Sequence, residues 1–293
     1  MSLREKLGKK FVITTELRAT DGVDIQTSVD HARRYLPLDG INIHDCPGGR
    51  LRMNSIAQAH IIQSETGHEL IPHLTCRDRS LLGIQADLLG AHALGIRNIL
   101  VATGDAPKHG PYPSSAVYDL TSIELIRLIK KMNNGLDYND KPFQGQTGFC
   151  ISATARPGAR DMEADVERAR QKAAAGADFI QTQPIFHVDK VRLFMNAVKD
   201  LKIPVIMGIM PLRSLKTAEF MNKSVPGITI PPEVMEAIAT SEQAMIEAIC
   251  HLITEIYPLV DGIHIMAMGD VEVSNTLIDH IRSLGKPGIK EKQ

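Results

Sequence analysis

Eight short apolar runs recur along the chain, at residues 11–16, 40–45, 69–75, 98–105, 148–154, 179–183, 204–210 and 262–268. Most of them close on a polar or ionisable residue. The first four begin 29 residues apart, which is room for one strand, one crossover helix and two loops. Eight such units are the signature of a (β/α)8 TIM barrel, an α/β fold whose catalytic groups sit at the C-terminal ends of the strands. The residues that end the runs are therefore where function is to be sought. Helical patterns fill the gaps at 24–36, 51–64, 81–94, 119–132, 162–174, 190–198 and 241–256. In the helix after the third run, Leu82, Ile84, Leu88, Leu89 and Ala93 repeat before a stop at Gly95.

Two connections exceed the basic repeat. Residues 107–146, rich in Pro, Gly, Asn and Tyr at both ends, follow strand four. Residues 216–224 and 232–240 add helical turns after strand seven. The expectation is one barrel domain over 1–293 with extra helical segments after strands four and seven, and a frayed tail at 285–293. Lys and Arg nearly cancel Asp and Glu, leaving a net charge of −1, so nothing basic points to nucleic acid. No apolar stretch reaches the roughly 18 residues of a membrane span, and the first residues lack a signal-peptide core. Cys46, Cys76, Cys150 and Cys250 have no CxxC spacing and read as reduced thiols, so the expected setting is the cytoplasm, with no metal site.

Each strand-end residue admits two readings. Glu16, after Phe11-Val12-Ile13-Thr14-Thr15, is either a rim ion-pair partner or a carboxyl whose burial raises its pKa and suits a general acid. His73 interrupts an apolar strand as a satisfied core residue or a ligand contact. In Thr103-Gly104-Asp105 the glycine permits close approach of a ligand to the backbone, and Asp105 is a base, an acceptor, a cation partner or a helix cap. Gln183 shares a face with Gln181 and either bonds a neighbouring strand or reads a heterocycle edge. Asp165, Arg168 and Lys172 recur at i, i+3 and i+7, as a solvated ion-pair face or as a phosphate-binding edge.

Four strings in the right order carry a family resemblance: Pro72-His73-Leu74-Thr75-Cys76, the run from Ile99 through Thr103-Gly104-Asp105 to Pro107, Lys172 leading to Gly176-Ala177-Asp178-Phe179-Ile180-Gln181-Thr182-Gln183, and Pro204-Val205-Ile206-Met207-Gly208-Ile209-Met210-Pro211. With them the chain resembles the methylenetetrahydrofolate reductases, flavin-dependent barrels of one-carbon metabolism, from strand one to strand eight. The resemblance implies reduction of 5,10-methylenetetrahydrofolate to 5-methyltetrahydrofolate, an oxidoreductase acting on a CH–NH group. It implies Glu16 as the acid, Asp105 as the carboxylate facing the pterin, and Gln183 as its hydrogen-bonding partner. His73, Thr103, Gly104, Asp105, Asp165 and Lys172 match flavin-contacting positions, with Arg168 beside the last two. The cofactor implied is FAD, with FMN as the alternative.

The chain departs from the family at the mouth. Leu17-Arg18-Ala19-Thr20 stands where prolines usually follow the acid. His44-Asp45 replaces a threonine beside the flavin, and Ala153-Thr154-Ala155-Arg156-Pro157 replaces a Tyr-Pro-Glu-Gly-His-Pro pattern, with Arg156 in the place of the histidine. Ala153, Arg156 and His44 are thereby flavin-side candidates. These changes leave the donor open among NADH, NADPH, ferredoxin and an electron-supplying partner subunit, and the expected assembly is an oligomer or complex. Two alternatives stay open: a flavin-free pterin barrel, such as a corrinoid-linked methyltransferase or pteroate synthase, and a non-catalytic subunit of a reductase complex.

Overall fold

The computed structural model describes residues 1–106, 110–112 and 115–285. Eight parallel strands close a barrel in chain order: β1 Val12–Leu17, β2 Gly40–Ile43, β3 Leu70–Thr75, β4 Asn98–Ala102, β5 Cys150–Ala155, β6 Phe179–Pro184, β7 Val205–Ile209 and β8 Gly262–Ile265. β8 returns to β1 with Val12 opposite Gly262, and a side chain at Gly262 would collide with the Val12 carbonyl.

The helices are α1 Leu3–Lys6, α2 Gln26–Arg34, α3 Ser55–Thr66, α4 Leu81–Ala93, α5 Ser122–Met132, α6 Met162–Ala175, α7 Val188–Ala197, α8 Leu215–Ser224, α9 Pro232–Thr240, α10 Glu242–Ile256 and α11 Val271–Ser283. Side-chain caps set most of their starts. Asn54, Ser80, Asp161, Ser214, Ser241 and Asp270 each accept a first-turn N–H, and Thr121 with Glu124 forms a full capping box on α5. The surplus after β7 is helical, as α8 and α9. Among the described residues after β4, α5 is the single helix, followed by a turn closed by a Leu136–Pro142 bridge. Among the described residues there, Asn133, Asn134, Gly135 and Asn139 supply turns, not helix. Pro107 and all but Gly285 of the 285–293 tail lie outside the described residues.

Inside the barrel the side chains form layers, because alternate residues of a strand face one side. The bottom layer is apolar, with Val12, Ile71, Leu100, Cys150, Phe179 and Ile206 around Leu3 of α1. Leu3 is fully buried and plugs that end; its N–H donates to Glu69 Oε1 (3.0 Å), whose other oxygen accepts from Asn98 (2.9 Å). Aspartates just before three even strands bind the start of the preceding strand. Asp39 accepts from Ile13 N (2.8 Å), Asp178 from Ile151 N (2.7 Å) and Asp261 from Val205 N (2.9 Å). With one end plugged and braced, ligands have the other. On the outside, two apolar clusters seat the helices against the strands. Leu82 and Leu89 of α4 do not join them, being 77% and 45% exposed, while Ile84, Leu88 and Ala91 carry its buried stripe.

Leu3→Ala is expected to lower unfolding free energy by about 3 kcal/mol, from the lost burial and the void left under the barrel. Urea denaturation followed by circular dichroism measures it.

Candidate active site

The middle layer of the barrel is polar. Gln181 Nε2 donates to Thr14 Oγ1 (3.1 Å), Asn42 Nδ2 donates to Gln181 Oε1 (3.1 Å), and Ser152 Oγ donates to the same oxygen (3.3 Å). Asn42 also lies 3.0 Å from His73 Nε2, and Thr14 Oγ1 lies 2.9 Å from His264 Nδ1. His264 Nε2 faces Glu16 Oε2 at 3.9 Å. Gln181 is thus structural, while Asn42, Thr14 and His264 are site residues the sequence reading passed over. The apolar–His–apolar pattern of Gly262-Ile263-His264-Ile265 was their one visible signal.

Above this layer sits Glu16, on β1 and only 3% exposed. Burial raises its pKa, against the opposing pull of His44 and of the Met268 backbone. His44 Nε2 stands 3.4 Å from Glu16 Oε2, and the His44 ring meets His73 edge-on with centroids 4.6 Å apart. Burial holds His73 well below the usual histidine range, with the His44 and His264 rings adding to the effect.

A cavity of about 880 Å³ opens over β2 to β6. His44, His73, Thr103, Gly104, Asp105, Arg156, Asp165, Arg168, Lys172 and Gln183 all line it. Glu16 lies behind this wall, under His44. Ala153 does not reach the cavity: strand alternation turns Ser152 and Thr154 inward and buries Ala153 in the outer cluster against the helices. Thr103, Gly104 and Asp105 follow β4 as loop. Gly104 has φ +89°, and a Cβ there would stand 2.9 Å from Arg77 Cβ, so glycine lets this loop fold onto β3. Asp105 is exposed and accepts from Gly48 N at 3.0 Å. Asp45 is turned away to structural work, accepting from Thr75 N (3.0 Å) and Thr75 Oγ1 (2.7 Å) and pairing with Arg79.

Gln183 Oε1 is buried with no partner, an acceptor left for something in the cavity. The far end of the cavity is cationic. Asp165 is committed to Arg156, accepting from its backbone N (2.6 Å) and Nε (2.9 Å), and so holds the loop after β5 in place. Lys172 Nζ donates to the Thr154 carbonyl (2.6 Å), and burial pulls its pKa down to about 8 against the attraction of Asp165, with Arg156 and Arg168 adding to the lowering. Thr121, Ser122 and Ile123 bring the N-terminal turn of α5 to the same wall. Cations and a helix N-terminus around one space form a site for an anionic group. A second cleft of about 900 Å³ lies across β7, β8 and β1, lined by Arg18, Met210, Phe220, Met268 and Asp270 among others.

The sequence profile of the methylenetetrahydrofolate reductases matches residues 8–282. The chain belongs to that family. Methylenetetrahydrofolate reductase 2 of Saccharomyces cerevisiae is 31% identical over 189 residues, covering 61% of this chain and 30% of the yeast protein. The 5,10-methylenetetrahydrofolate reductase of Escherichia coli K12 is 28% identical over 178 residues, 59% of this chain and 53% of that one. The match thus takes in less than two thirds of each relative's own length. Among solved structures, a Clostridium thermocellum protein that binds two copies of 5-methyl-5,6,7,8-tetrahydrofolic acid superposes with a TM-score of 0.60 at 14% identity, over 94% of this chain and 96% of that one. At this identity the likeness is one of fold. Among the described residues no helix is long and apolar enough to cross a membrane, and no cluster of side chains is built to hold a metal.

The buried histidines give this reductase-family barrel a pH dependence. Burial pulls His264 down to about 3, with His44 adding to the lowering and the Thr14 backbone opposing it. The unfolded chain binds that proton near pH 6.5 and the folded chain does not, so the stability His264 confers is full above pH 6.5 and is lost as pH falls toward 3. Glu16 acts in the opposite sense, since its raised pKa weakens the fold as pH rises past the usual carboxylate range. Between pH 6.5 and 5 the wild type is expected to lose about 2 kcal/mol more than His264→Asn, as read from denaturant midpoints at each pH.

Proposed function

We propose that this chain reduces 5,10-methylenetetrahydrofolate to 5-methyltetrahydrofolate with hydride from a bound flavin. The observation that carries the reading is one wall that unites three groups: the unpartnered acceptor of Gln183, the Asp105 carboxylate, and, one side chain behind, the buried acid Glu16. Family membership supports it.

The substrate's one-carbon unit is locked in a five-membered ring between two nitrogens. Hydride adds only after one C–N bond breaks and leaves a cationic iminium, which needs an acid at the departing nitrogen and negative charge near the cation. Glu16 suits the acid because burial keeps its proton on at higher pH than an ordinary carboxyl. Asp105 supplies the charge. The Gln183 amide has an oxygen free for the pterin's N–H groups and an NH2 for its acceptors. The second cleft, with Arg18 at its edge, offers room for the remainder of the folate.

A flavin, when bound, supplies the hydride. The residues fit one. His73, Thr103 and Gly104 offer a wall for the ring system, and Gly104 keeps the backbone close. Arg168, Lys172 and the N-terminal turn of α5 suit the phosphates. A cavity that runs from His44 to a separate cationic end suits FAD better than FMN. The four free cysteines, two of them with thiols pushed up to about 12 by burial, suit a reducing compartment such as the cytoplasm.

The electron donor is proposed to be a partner protein, because His44, Arg156 and Leu17-Arg18-Ala19-Thr20 alter the surface where a nicotinamide would stack. Stopped-flow mixing of the oxidised flavoprotein with NADH and NADPH is expected to give little bleaching. Bleaching near the ordinary enzymatic rate, on the order of 10 per second, removes the need for a partner. The central reading is tested with Glu16→Gln, which is expected to bind flavin and to accept electrons from dithionite. Its reoxidation by methylenetetrahydrofolate should slow roughly 10²–10⁴-fold. Reoxidation within a few-fold of wild type would remove Glu16 from the acid's role.

A further inference from the structure

We infer that His44 is the port through which Glu16 exchanges protons with the cavity, reloading the acid once in each turnover; this rests on the reading of Glu16 given above. Glu16 is nearly sealed, at 3% exposure, and lies behind the cavity wall. His44 is part of that wall, its side chain is 33% exposed, and its Nε2 stands 3.4 Å from Glu16 Oε2. That is slightly beyond hydrogen-bond length, and a small ring movement closes it.

The other titratable groups around the pair are poorly placed for this task. His264, on β8, faces Glu16 at 3.9 Å but is itself 3% exposed, and its second nitrogen is held by Thr14. His73, on β3, touches the His44 ring and is tied to Asn42 through Nε2. Tyr35, which follows α2, donates to the main-chain carbonyl of Glu16 (3.2 Å), and burial with nearby carboxylates pushes its hydroxyl up to about 12. Asp45, next to His44 in the chain, is bonded to Thr75 and Arg79; Asp270, at the start of α11, caps that helix and pairs with Arg213. Among the described residues, His44 alone both faces the carboxyl and lines the cavity.

The Glu16 carboxyl gives its proton to the departing folate nitrogen as the C–N bond breaks and the electron pair stays on nitrogen. The carboxylate then takes the Nε2 proton of His44 as the ring takes one from cavity water at Nδ1, and exchange of the Nδ1 proton with that water, with a proton returned at Nε2, resets the ring for the next turnover. One proton leaves solvent for each methylene reduced, and no further oxidant or reductant enters. His44 is thus a positioning and relay residue, distinct from the acid itself.

The test reads the proton on Glu16 directly, in the purified chain after a rapid pH jump. Its protonated-carboxyl infrared band is assigned by its disappearance in Glu16→Gln. In His44→Gln, protonation of Glu16 is expected to slow roughly 10²-fold with the band's equilibrium intensity at low pH retained. In His44→Gly, added imidazole is expected to restore the rate, which a purely structural role would not allow. An unchanged rate in His44→Gln, or no effect of imidazole on a slowed His44→Gly, overturns the proposal. Either result stands apart from the reductase reading, which fails separately if methylenetetrahydrofolate does not reoxidise reduced flavin on the wild-type protein.

Discussion

Buried polar groups in the middle of a barrel must find partners on other strands, since no water is at hand to satisfy them. Here that requirement is met by one net of bonds that joins β1, β2, β5 and β6 through Gln181, and extends to β3 and β8 through His73 and His264. The net holds the rings of His264 and His73 in place, each through one ring nitrogen. It forms the floor on which Glu16 and His44 rest. Without it the acid would sit on an apolar plug, with nothing to hold its neighbouring rings in register.

The layered interior also separates stability from chemistry. The apolar bottom layer, the Leu3 plug and the aspartates that bracket strand starts hold the closed end. The mouth is freer to vary. Its loops carry Gly104, Asp105 and Arg156, and each is positioned by a local device: a left-handed glycine, a bond from Gly48, and the Asp165 carboxylate. The departures that the family resemblance implies fall at this end, where a change of side chain alters a ligand wall and leaves the barrel staves untouched.

The strands were legible because parallel strands buried on both faces leave continuous apolar runs, and a constant helix between them leaves a constant spacing. Period-two alternation would have shown Ala153 facing the helices, and treating the strand as one apolar string hid it. The α4 leucines misled for a related reason: Leu82 and Leu89 repeat at a helical period yet lie off its buried stripe, and a helix rich in apolar residues does not announce which face is inward. Helix α1 is one turn long and carries no period at all, so its role as a plug could come only from tertiary contact. The same holds for the site. Glu16, Asp105 and Gln183 stood out as polar ends of apolar runs, whereas the commitment of Asp45 to Arg79 and of Asp165 to Arg156 joins residues of separate segments that only the folded chain brings together.

Lys172 has a consequence for proton counting. With its pKa near 8, a fraction of the chain carries this amine uncharged in mildly alkaline solution. An anion seated against it restores the ammonium, so binding must draw a fraction of a proton from the buffer. The heat of binding then changes with the ionisation enthalpy of the buffer, and affinity declines as the solution passes above pH 8. A half-buried lysine hydrogen-bonded to a carbonyl thus makes occupancy of the site a thermodynamic partner of the hydrogen-ion concentration.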